Sequence, residues 1–84
     1  MSDLEFDVLD ELYFVVHFTE LVKATELDES ELKPLLIKLY NKGWLRCYSE
    51  PDEELDNSSV DLEVNYHKYY YLASKEGLKA HNKS

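Results

Sequence analysis

Lys33, Lys38, Lys42 and Arg46 fall within residues 32–48, a stretch with no acidic residue. Lys68, Lys75, Lys79 and Lys83 fall within residues 66–84, where Glu76 is the only acid. Eight of the nine bases are thus gathered into two segments of a chain whose formal charge is -9. Cations spaced in this way can neutralise a row of phosphates, and within a Debye length of about 8 Å local charge outweighs the total. The same lysines would also serve as the solvated backs of ordinary elements. The acids are segregated too: residues 1–31 hold ten against Lys23, and residues 49–65 hold seven against no base. Contact with a basic partner is therefore the second chemistry the charges allow.

Catalytic and metal chemistry find little support. Cys47 stands alone in a strand-like run without a motif around it and reads as structural. His17, His67 and His81 lack the paired spacing of a zinc or iron site. Asp52, Glu53 and Glu54 lack the alternation and the glycine of a calcium loop, and there is no glycine-rich phosphate loop. The expectation is a protein that is not an enzyme and needs no cofactor or metal. Tyr69, Tyr70 and Tyr71 could stack on exposed bases, yet strand alternation predicts Tyr70 buried and the other two at a partner surface.

One modest core must position all these groups, since 84 residues are expected to make a single small domain. Ser2 and Glu5 have the spacing of a reciprocal helix cap, and Leu4, Val8, Leu9 and Leu12 predict a helix over residues 3–13. The β-branched and aromatic run 15–18 predicts a short extended stretch. Thr19 is the expected cap of a second helix, with Leu21 and Ala24 inward and a turn at 25–27. Asp28 and Glu31 open a third helix, whose stripe Leu32, Leu35, Leu36 and Leu39 stops at Gly43. Inside it, Pro34 removes the amide that would bond Ser30 and should bend or tighten the first turn. Residues 44–48 and about 66–72 read as two arms of a hairpin. Between them, 49–65 reads as an acidic insert with its tip at about 51–59, solvated and poor in apolar area. Alternation of Val60, Leu62 and Val64 with Asp61 and Glu63 allows the second arm to begin earlier. Ser74 caps a last helix over about 75–81. The predicted core is Leu12, Leu21, Leu32, Leu35, Leu36, Leu39, Leu45 and Leu72.

Three details carry a likeness: Leu27 before the third helix, Asn41-Lys42-Gly43-Trp44-Leu45 at its end, and Tyr71-Leu72-Ala73-Ser74-Lys75-Glu76-Gly77 after the hairpin. With the element order, they make about residues 7–80 resemble winged helix-turn-helix regulators of the MarR and PadR type. The resemblance implies an α+β winged helix-turn-helix over residues 1–84, with a three-helix core, a C-terminal β-hairpin wing and a short terminal helix. It further implies a transcriptional regulator, acting as a homodimer, that lays its third helix in the major groove of double-stranded DNA and its wing on the flanking backbone. On that mechanism the nucleic-acid-binding residues are Ser30, Lys33, Lys38, Asn41, Lys42, Arg46 and Lys68. The sequence departs from such relatives where Pro34 replaces a common arginine and where Asp28, Glu29 and Glu31 crowd the end that would enter the groove. The scaffold also serves in protein assemblies, so the alternative is an acidic interaction module that binds a basic protein and not DNA. An acidic N-terminus, a lone cysteine and the lack of an apolar run of about 20 residues predict a cytoplasmic protein without membrane contact.

Overall fold

Ser2 and Glu5 close their cap in both directions: the Glu5 amide donates to Ser2 Oγ at 3.1 Å, and the Ser2 amide donates to Glu5 Oε1 at 3.0 Å. In the computed structural model, which describes residues 1–83, this cap starts α1 (Asp3–Asp10). There follow β1 (Val16–His17), α2 (Phe18–Thr25), α3 (Glu29–Asn41), β2 (Leu45–Glu50), β3 (Glu53–Glu54), α4 (Leu62–Asn65), a 3-10 turn (Tyr66–Lys68), β4 (Tyr70–Ala73) and α5 (Lys75–Asn82). The domain is α+β. Its strands form one antiparallel sheet in the order β1-β4-β2-β3. β4 is an inner strand, with Val16 opposite Tyr71 on one side and Leu45 opposite Ala73 on the other. Val8, Leu9 and Leu12 of the first segment, Phe18 and Leu21 of α2, and Leu32, Leu36 and Leu39 of α3 pack with Leu45, Cys47, Tyr71 and Ala73 of the sheet. No helix among the described residues is long and apolar enough to cross a membrane.

The first helix stops at Asp10 and not at residue 13, because the Leu12 carbonyl accepts from the Ala73 amide at 2.9 Å and so belongs to the sheet. The cap of α2 is His17, whose Nδ1 accepts from the Thr19 amide at 3.2 Å. Leu21 is buried as predicted, but Ala24 is exposed. The chain turns between α2 and α3 through Glu26 at φ 60°, a left-handed conformation unusual for a residue with a side chain. α3 runs unbroken through Pro34; Pro34 and Ser30 are both exposed, so water can take the Ser30 carbonyl. At its end Gly43, at φ 80°, lets the Trp44 amide donate to the Leu39 carbonyl and the Gly43 amide to the Tyr40 carbonyl. That pairing satisfies the last carbonyls and aims the chain into β2.

The predicted hairpin forms, with Leu45–Tyr48 of β2 paired antiparallel to Tyr70–Ala73 of β4, but its second arm begins at Tyr70 and not at about residue 66 or earlier. Within the insert only Glu53–Glu54 pairs with β2, on its other edge, whereas residues 62–68 are helical and strand pairing resumes at Tyr70. The cause is local: the Asp61 carboxylate accepts from the Val64 amide at 3.2 Å, capping α4, while Leu62 turns into the core at 7% exposure. The tyrosines also depart from the expectation. Tyr71 and Tyr69 are buried and Tyr70 is half-buried, the reverse of the predicted alternation. Both buried hydroxyls are satisfied: Tyr71 donates to the Tyr66 carbonyl at 2.6 Å, and Tyr69 Oη accepts from the Asp61 amide at 2.9 Å. Leu35 and Leu72 of the predicted core are only half-buried.

Candidate interaction surface

The buried stripe of α3 fixes what the helix shows outside. Ser30, Pro34, Lys38 and Asn41 are exposed, with Ile37 and Lys33 half-buried along one border and Lys42 near the other. The face thus carries Lys38 among the uncharged Ser30, Pro34 and Asn41, with Lys33 and Lys42 along its margins. Each of those cations meets a carboxylate. Lys33 Nζ lies 3.5 Å from Glu63 Oε2 and 5.0 Å from the centroid of the Tyr66 ring. Lys42 Nζ lies 2.7 Å from Glu5 Oε2 and 4.5 Å from the Trp44 ring centroid, and Lys38 Nζ lies 3.9 Å from Glu5 Oε1. On β2, the Arg46 guanidinium donates twice to Glu54, Nη2 at 2.6 Å and Nε at 3.0 Å. Lys68 is exposed on the 3-10 turn, with no carboxylate within salt-bridge distance among the described residues. Of the seven predicted site residues, Ser30, Lys33, Lys38, Asn41 and Lys42 lie along α3 and its C-terminal cap, Arg46 lies on β2, and Lys68 stands on the 3-10 turn.

Glu5 is the residue the sequence reading missed. Its side chain is 2% exposed, yet it sits between α1 and α3 as a charged strut. Burial by itself would raise its pKa; the Lys42 ammonium and the Ser2 amide and hydroxyl overcome that and hold the carboxyl at about 2. A signal was present, since Glu5 lies three and four residues before the buried Val8 and Leu9 and so shares their face. Burial pushes the Cys47 thiol up to about 12, with the nearby Glu54 charge adding to it, which keeps it protonated and unreactive. Among the described residues no group of three or more metal-ligating side chains converges.

The insert packs onto this surface instead of standing off it. Tyr40 Oη donates to Asn57 Oδ1 at 2.6 Å, Tyr66 Oη donates to Glu29 Oε2 at 2.6 Å, and the Leu55 amide donates to the Cys47 carbonyl at 2.8 Å. Two grooves result. The wider, about 660 Å³, runs between the end of α3, β2 and the start of α5. Its polar floor is already occupied: Arg46 holds Glu54, and Ser74 Oγ donates to the Gly43 carbonyl at 2.6 Å while accepting from the Gly77 amide at 3.1 Å. The narrower, about 210 Å³, lies between α3 and residues 60–63. Ile37, Tyr40, Val60 and Leu62 wall it, and Asn41, Asp61 and Glu63 stand at its margin. No family model matches this chain, and no curated protein or solved structure is significantly similar to it.

Proposed function

We propose that this chain is an acidic winged-helix interaction module that binds a basic protein segment and leaves duplex DNA alone. The passage of β4 between β1 and β2, with α1, α2 and α3 preceding the hairpin, supports a winged helix. One observation carries the choice of partner: Lys33, Lys38, Lys42 and Arg46 all lie within 4.0 Å of a carboxylate of the chain itself. A phosphate would have to displace those carboxylates, and Glu5 is too deeply buried to leave without cost. The acids at the head of α3 add repulsion where a recognition helix would meet the backbone: Asp28, Glu29 and Glu31 are all exposed there.

Selection from random-sequence duplexes at low salt should enrich nothing. Photocrosslinking from position 34 in cells should give protein adducts that survive nuclease treatment. Duplex binding with a salt slope near about -3, flattened in the Lys33→Ala, Lys38→Ala, Arg46→Ala triple variant, overturns the proposal in favour of a DNA-binding regulator.

A further inference from the structure

The narrower groove has a chemistry of its own. At about 210 Å³ it falls below the roughly 300–1,000 Å³ of clefts that enclose a drug-sized ligand, but it has room for one aliphatic side chain. Its walls come from two segments that the sequence does not obviously join, Ile37 and Tyr40 of α3 and Val60 and Leu62 of the insert. Leu62 forms the floor and is nearly buried, while Ile37, Tyr40 and Val60 remain half-exposed.

The charges around it have one sign on the open side. Asp61 uses Oδ1 to cap the Val64 amide, which leaves Oδ2 toward water. Glu63 meets Lys33 through Oε2 at 3.5 Å, but its side chain is 73% exposed, and Oε1 is available. Lys38 and Lys42 do not compete, because they are drawn to Glu5; Lys33 meets Glu63, so a partner cation shares that carboxylate through Oε1 and has Asp61, which no cation among the described residues pairs, to itself. Asn41 stands at the edge with an exposed carboxamide that can both donate to and accept from a peptide backbone.

We infer that this groove docks an extended, basic segment of the partner, one aliphatic side chain between Ile37 and Leu62 and flanking Lys or Arg side chains on Asp61 and Glu63. It rests on the interaction-module reading and gives that module its contact point. A second copy of the chain is a poor occupant, since each copy brings a charge of -9 and its α3 cations are already paired. Duplex DNA is disfavoured by the same two carboxylates.

The test uses the whole chain labelled with 15N and three synthetic peptides. One is Lys-Arg-Leu-Arg-Lys with blocked ends; in the second glycine replaces leucine; in the third glutamates replace the four bases. The first peptide should shift the amides of Ile37, Tyr40 and residues 60–63 saturably. The glycine peptide should bind about tenfold more weakly, the equivalent of burying one aliphatic side chain, and the glutamate peptide should not bind. Asp61→Asn with Glu63→Gln should weaken the first peptide several-fold while the amide spectrum shows an intact fold. Ile37→Ser should reduce the leucine-over-glycine preference, and Val60→Ser, at a half-exposed wall, repeats that measurement should Ile37→Ser fail to fold.

If leucine and glycine peptides bind equally, with shifts spread over Asp28, Glu29 and Glu31, the groove is refuted and the acidic module stands. If the groove amides shift with protein concentration alone, a second copy fills it and the inference is overturned. If the chain takes duplex DNA and no peptide, the interaction-module reading itself has failed.

Discussion

Replacing Glu5 with glutamine tests whether a buried carboxylate ties α1 to α3 by its charge. Glutamine keeps the size and can still accept from Ser2, but it cannot answer the Lys42 ammonium at 2.7 Å. Lowering the carboxyl from its ordinary 4.5 to about 2, at about 1.36 kcal/mol per pKa unit, corresponds to about 3 kcal/mol. For 84 residues total stability is about 4–13 kcal/mol, so this is a large share. Because the folded pKa lies below the unfolded one, the stabilisation is complete above about pH 4.5 and is lost as pH falls toward 2. Urea denaturation of wild type and Glu5→Gln at pH 7, 4.5, 3.5 and 2.5 should therefore show a gap of about 3 kcal/mol that closes across the acid range. Other carboxylates titrate in both proteins and largely cancel. A gap below about 1 kcal/mol at pH 7, or one that does not change with pH, would mean that Glu5 is not held as a charge in the folded protein.

Leu36→Ala should cost about 2–5 kcal/mol by chemical denaturation, since Leu36 is fully buried between α3 and the sheet; an unchanged midpoint would show α3 rotated from its assigned face. Gly77→Ala should destabilise by about 1–3 kcal/mol, because a Cβ there would run into the Trp44 carbonyl, backbone that cannot swing aside. Glu26→Gly should raise stability by up to about 1 kcal/mol by relieving the left-handed backbone at the α2–α3 turn, measured as a higher thermal midpoint. Alkylation of Cys47 by iodoacetamide at pH 8 should proceed only as fast as the domain opens, so its rate should rise in Leu36→Ala.

Much of the helical core is written in residue spacing. Leu32, Leu36 and Leu39 recur at helical period, and the reciprocal cap at Ser2 and Glu5 and the glycine stop at Gly43 set boundaries that need no tertiary information. The insert was harder to read because its alternation of apolar and acidic residues fits a strand, while a single side chain, Asp61, decides for a helix by capping it. Nothing local could have told that Leu62 reaches the core, although a leucine inside so acidic a stretch was the available clue. The tyrosine alternation holds in the opposite phase: Tyr71 and Ala73 of β4, with Tyr69 just before it, face the core, and spacing along a strand does not by itself say which of its two faces is buried. For the surface, spacing located the cations on α3 and β2 but not their partners. Glu5, Glu54 and Glu63 lie 37, 8 and 30 positions from the bases they meet, and only the folded chain brings those distances to 4.0 Å or less.

The central place of β4 sets the order in which the domain can be made. β1 and β2 are never neighbours; β1 finds its partner only in residues 70–73, and β2, whose other edge holds the short β3, needs the same residues to join the sheet. During synthesis the two earlier strands and the apolar face beneath them must wait, open, until that late segment has left the ribosome. Helices formed from nearby residues can gather first, but closure of the sheet is a long-range event that is slow by nature. A chain stopped before residue 70 would carry α1, α2 and α3 with two unpaired strand edges, a species suited to chaperone capture or degradation and not to function.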